Sequence, residues 1–115
     1  MQEAIQYPAA HQAEYLYPLL HRIKARPGMY LGRPSLTRLR MLLLGYSLAR
    51  RELNLPLTEQ EKSFDGFQDW IQQRFQIQSS QAWDSIILFH STDEQEALTR
   101  FFQLFEEFCE AVKRP

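Results

Sequence analysis

The stretch that constrains this chain most is its last third. From Ser91 the sequence reads Ser-Thr-Asp-Glu-Gln-Glu, then places Leu98, Phe101, Phe102, Phe105, Phe108, Cys109 and Val112 on one face at helical spacing. A face that wide and that aromatic must be covered. The rest of the chain is therefore expected to wrap it. Two overlapping capping boxes, Ser91 with Glu94 and Thr92 with Gln95, are expected to start this helix. Asp93, Glu94 and Glu96 complement its positive end.

The remaining segments supply helical partners. A first helix is expected from Ala9 to Ala25, with Ala13, Leu16, Leu20 and Ile23 on one face and Pro18 kinking or dividing it. A second starts from a Ser35 cap, carries Leu36, Leu39, Leu43 and Tyr46, and ends near Leu53. Leu42, Leu44 and Leu48 broaden its stripe. Gly45 costs about 1 kcal/mol there relative to Ala, which close approach by another helix or ring would offset. Residues 57 to 63 read as a loop. Ser63 is expected to cap a third helix bearing Phe64, Phe67, Ile71 and Phe75. The run Trp83 to Phe89 reads as a short buried helix capped by Ser80, with a strand over 85–89 as the alternative. The fold class is all-α, a single domain over 1–115 of about four or five helices, with residues 1–8 as a flexible N-terminus.

Hydrophobic residues at 44% fit one packed core. The net charge of −1 argues against a general polyanion binder. The distribution of charge is uneven. Arg22, Lys24, Arg26, Arg33, Arg38, Arg40, Arg50 and Arg51 lie in a window free of acids, while every acid except Glu3 and Glu14 follows it. Such segregation fits opposite faces, or two halves that attract each other. Cys109 is the lone cysteine, which excludes an intrachain disulfide and fits a reducing compartment. The start is polar, with Pro8 and no apolar h-region, and no apolar run is long enough for a bilayer. The expected location is cytoplasmic, with no membrane contact.

No catalytic constellation emerges. His11, His21 and His90 lack neighbours at ligand spacing, so no metal and no cofactor is expected. Asp65 and Asp69 fall one turn apart on the third helix and could share a face; such a pair can bind a metal or do acid–base work, and is more often ordinary helix decoration. "RPGMYLG", Arg26 to Gly32, reads as a type II turn with Gly28 at positive φ and Met29, Tyr30 and Leu31 folding onto the core. Arg26 and Arg33 bracket it, and Arg38 lies in the first turn of the next helix. A helix start with these arginines can hold a phosphate or a partner's carboxylate. The candidate partner-binding residues are thus Arg26, Tyr30, Arg33, Arg38, Asp65 and Asp69.

The same string resembles the "RPGMYIG" segment of the ATPase domain in the DNA gyrase B subunit and its relatives. Those enzymes need a Glu and an Asp-Asn pair on the helix that follows. Here that helix reads "LTRLRMLLLGYSLA", and the later Gly-rich motifs are missing, so ATPase activity is not implied. A broader pattern covers Arg26 to Leu39, Gly45-Tyr46, Phe64 to Phe75, Trp83 to Phe89 and Asp93 to Phe108. It resembles a family of small uncharacterised bacterial proteins, some encoded near toxin genes. That resemblance implies an immunity protein that binds and blocks a toxin. The leading expectation is a non-enzymatic protein-binding domain of this antitoxin-like kind. Nucleic-acid binding through Arg22 to Arg51 is the alternative, and an oligomerisation module is a third reading.

Overall fold

The computed structural model describes residues 14–113. It is helical throughout, with no strand among the described residues. The elements are α1 (Leu16–Ala25), α2 (Pro27–Leu31), α3 (Leu36–Glu52), α4 (Glu59–Phe64), α5 (Phe67–Arg74), α6 (Trp83–Phe89) and α7 (Glu94–Lys113). The number exceeds four or five because two short helices form where a turn and a loop were expected. The flexible stretch expected over 1–8, residues 9–13 of the expected first helix and His11 lie outside the described residues.

Helix α7 forms the spine. Phe101, Phe102, Phe105 and Phe108 are buried, and Ala97, Leu98 and Leu104 extend the same face. Val112 stays outside, at 54% exposure, so the buried face ends a turn early. Phe67 of α5 sits fully buried against it. The rings of Phe101 and Phe108 meet Phe67 edge-on at 5.6 and 5.3 Å, and Trp83 of α6 does so at 5.2 Å. Edge-to-face packing aligns positive ring edges with negative ring faces, which adds to the gain from burial. Leu20 and Ile23 of α1 and Leu36 and Leu39 of α3 complete the core. Cys109 packs at its margin, where burial pushes the thiol pKa up and Lys113 only partly offsets this.

Several local expectations are corrected by the backbone. Pro18 neither kinks nor divides α1. It is the third residue of the helix, inside the first turn, where amides have no intrahelical acceptor to lose. Pro27 starts α2 rather than a type II turn, since its fixed φ suits a helix's first position equally well. Gly28 is therefore helical, and Gly32 takes the positive φ, 82°, that ends α2. Leu31 is buried and Tyr30 half-buried as expected, but Met29 points outward at 71% exposure.

The expected loop at 57–63 holds α4. Thr58 and Glu61 make both halves of a capping box. Ser63 lies inside that helix instead of capping the next, and α5 begins after Gly66. Ala82, not Ser80, precedes α6, whose Trp83 amide donates to Gln68 Oε1 of α5 at 2.8 Å. Ile86 and Ile87 are fully buried in α6, so the helical reading of 85–89 holds and the strand does not. At α7 neither expected capping box forms. Asp93 Oδ1 accepts from the Glu96 amide, Glu96 Oε1 accepts from the Thr92 amide, and Ser91 donates back to Ile87 O. The Glu94 carboxylate is engaged elsewhere.

Candidate functional site

The start of α3 was the expected anion site, and the chain fills it itself. Ser35 caps the helix, accepting from the Arg38 amide at 3.1 Å. Its hydroxyl donates to Glu94 Oε1 at 3.0 Å. The Thr37 amide donates to Oε1 at 2.9 Å, and the Thr37 hydroxyl to Oε2 at 2.6 Å. A carboxylate from α7 thus occupies the positive end of α3, the place a phosphate would take. Partial burial pushes the Glu94 carboxyl up, but the bonds from Thr37 and Ser35 together outweigh it and hold its pKa below the usual carboxylate value.

The expected site residues do not converge. Arg38 turns back, donating from Nη1 to Leu31 O at 2.8 Å, and so closes the end of α2. Arg26 and Arg33 remain exposed and make no ion pair among the described residues. Asp65 and Asp69 do not share one helix, because the break at Asp65–Gly66 separates α4 from α5. Asp65 lines a groove beside α3, while Asp69 lines a separate depression with Gln72 and Ile77. His21 is exposed, and His90 Nδ1 lies 2.9 Å from Ile86 O at the end of α6.

The segregated charges pair with each other, at the surface for Lys24 and more enclosed for Arg40 and Arg50. Lys24 pairs with Glu106 at 2.6 Å, Arg40 with Asp84 at 3.7 Å, and Arg50 with Glu61 at 2.6 Å. The last pair is the most enclosed. Arg50 also donates to Pro56 O at 3.0 Å, so one guanidinium ties α3, the 53–58 connection and α4 together. Of the basic window, Arg22, Arg26, Arg33 and Arg51 are exposed without an acidic partner among the described residues.

The feature that sequence reasoning missed lies on the outer face of α3. Its inner residues Leu36, Leu39 and Leu43 are buried, but Leu44 and Leu48, read as part of the core stripe, are 46% and 49% exposed. Met41 is exposed on the same side. These three recur at three and four residues and form one ridge. A groove of about 850 Å³ runs beside the ridge, where Leu44, Leu55, Leu57 and Phe64 line the walls with Arg51 and Asp65 among the polar groups. A second groove, of about 720 Å³, contains Leu19, Leu42, Tyr15 and Arg22. The available signal was that α3 is apolar on both sides, more than one core requires.

Among the described residues, no three His, Cys, Asp or Glu side chains cluster as metal ligands, and no helix is long and apolar enough to cross a membrane. Comparison with protein-family models, curated proteins and solved structures finds no significant match to this chain.

Proposed function

We propose that the chain is a non-enzymatic protein-binding domain that receives its partner on the outer face of α3. The observation that carries this reading is the apolar ridge Met41, Leu44 and Leu48, continuous with Leu55 and Leu57 in the adjoining groove. Contiguous exposed apolar surface with polar groups at its edge is the usual composition of a docking site. The resemblance to small bacterial proteins encoded near toxins supports a toxin as the partner and an immunity role as the process. Nucleic-acid binding is less favoured, because three cations of the basic window are already paired with the chain's own acids.

The test is copurification of the chain with products of neighbouring genes, repeated with Leu48→Asp. Leu48 is half exposed, so the variant keeps its fold. Binding by the wild type and loss in the variant are expected. Binding that persists through substitutions at both Leu44 and Leu48 would refute this face, and no binding by any neighbouring product would remove the immunity role.

A further inference from the structure

We infer that the occupant of the α3 face is an acidic amphipathic helix of a partner protein, and not a second copy of this chain. This rests on the docking reading above and names the chemistry of what docks.

Three observations converge. The ridge belongs to an unbroken run of 17 helical residues, a length that matches a helix laid alongside it. Gly45 flanks that ridge and lines the second groove with Leu42 and Tyr46. A Cβ placed there meets nothing within 4 Å among the described residues, so no intramolecular contact uses the space. Glycine is otherwise unfavourable inside a helix, and here it leaves backbone open between Leu44 and Leu48. Ala49, also exposed, continues the low strip by one turn. A second helix can approach closely along such a strip.

Charge then selects the occupant. Arg51 is exposed beside one groove and Arg22 beside the other, and neither has an acidic partner among the described residues. On helix α3 itself Arg40 and Arg50 are paired with Asp84 and Glu61, which leaves Arg38 and Arg51 as its cations without an acidic partner among the described residues. Packing two copies of α3 in antiparallel fashion sets the Arg51 end of one beside the Arg38 end of the other. Parallel packing sets like beside like. Either arrangement juxtaposes like charges, which disfavours self-association. A helix with carboxylates on both sides of an apolar seam meets Arg22 and Arg51 instead.

The test uses two labelled peptides of the length of α3 with identical leucine faces, one flanked by Glu and one by Lys, titrated against the full chain by fluorescence anisotropy. The Glu peptide is expected to bind saturably, and the Lys peptide at least about tenfold more weakly. The double variant Arg22→Glu with Arg51→Glu should reverse the order. Gly45→Leu, which improves helix propensity and whose Cβ meets nothing within 4 Å, should keep the circular dichroism spectrum and lose Glu-peptide binding about tenfold or more. Absent binding of the Glu peptide, equal binding of both peptides, or unchanged binding by Gly45→Leu would each overturn the inference. So would a concentration-dependent dimer in solution that Leu48→Asp dissolves. Should the Glu peptide fail while a neighbouring gene product binds wild type and not Leu48→Asp, the docking face stands and only the acidic-helix occupant falls.

Discussion

Removing the Glu94 carboxylate is the most direct perturbation of how this fold is held. Glu94 accepts three hydrogen bonds from Ser35 and Thr37 at the positive start of α3. Solvent reaches the carboxylate, so each bond is placed at the low end of the range, about 0.5 kcal/mol. The helix dipole adds about 0.5 kcal/mol. Glu94→Ala should therefore cost about 2 kcal/mol, and Glu94→Gln, which keeps an acceptor but no charge, about half of that. At roughly 4 °C per kcal/mol for a domain of this size, the Ala variant should melt about 8 °C lower. Urea denaturation should show a lower midpoint with an unchanged slope. The pH dependence supplies a second signature. The folded carboxyl has a lowered pKa, so on acidification the unfolded chain takes up the proton first. The stabilisation from Glu94 is then complete above the ordinary carboxylate value and lost as pH falls through the folded one. The gap between wild type and Glu94→Gln should be full at neutral pH and shrink as pH drops below about 4. A Glu94→Ala midpoint equal to wild type at neutral pH, or a gap that persists undiminished in acid, would refute the assignment of this carboxylate as the cap of α3.

Other substitutions test separate parts of the structure. Gly28→Ala should be neutral or stabilising, because Gly28 is helical and an added Cβ meets nothing, whereas Gly32→Ala should cost at least about 1 kcal/mol. At Gly32 the φ of 82° is unfavourable for Ala, and the new Cβ would lie 2.6 Å from Arg38 Nη1; melting temperatures of the two variants decide the matter. Arg50→Ala should cost about 3 kcal/mol in urea unfolding, since it strands the buried Glu61 carboxylate, and Arg50→Lys should recover only part because one ammonium replaces a fork reaching both Glu61 and Pro56. The double variant Arg26→Ala with Arg33→Ala should stay within about 0.5 kcal/mol of wild type by the same assay, as both side chains are exposed and unpaired among the described residues.

How far the sequence could be read depended on whether a segment had one competing solution or several. Helix α7 was legible because its apolar residues lie on one side for about four turns, Leu98 to Val112, and no strand or loop reproduces that spacing. Helix α4 was not, although Thr58 and Glu61 stand at capping-box spacing. The break at Asn54–Pro56 and the polar run after it matched a loop equally well, and what settles the matter is the burial of Glu61 against Arg50. Pro27 fits either the second position of a turn or the first of a helix, since both need the same φ. Burying Leu31 while Gly32 reverses the chain selects the helix. In α3 the same ambiguity concerned faces: Leu44 and Leu48 have the spacing of core residues, and only the position of α7 decides which side is covered. The exposed apolar ridge was thus hidden among residues that looked internal.

The segment Arg26 to Gly32 bears on function through what has already been taken from it. Its neighbouring helix start is an anion site by geometry, and the Glu94 that fills it lies 59 positions along the chain from Ser35. No local pattern announces such a pairing. Once Glu94 is in place, the arginines nearby lose the converging amides that would orient a phosphate between them. Arg38 is committed to Leu31, and Arg26 and Arg33 become isolated charges in solvent, where single cations bind weakly. At the opposite end of α3 the situation is reversed. Arg50 neutralises Glu61 in the wall of the groove that Leu44, Leu55 and Leu57 also line, and Arg51 is left exposed beside it. The internal ion pairs therefore do more than hold two halves together. Together with the hydrogen-bonded Glu94, which silences the loop that resembles a phosphate-binding signature, they leave the outer side of α3 as the surface where apolar area and uncompensated charge coincide.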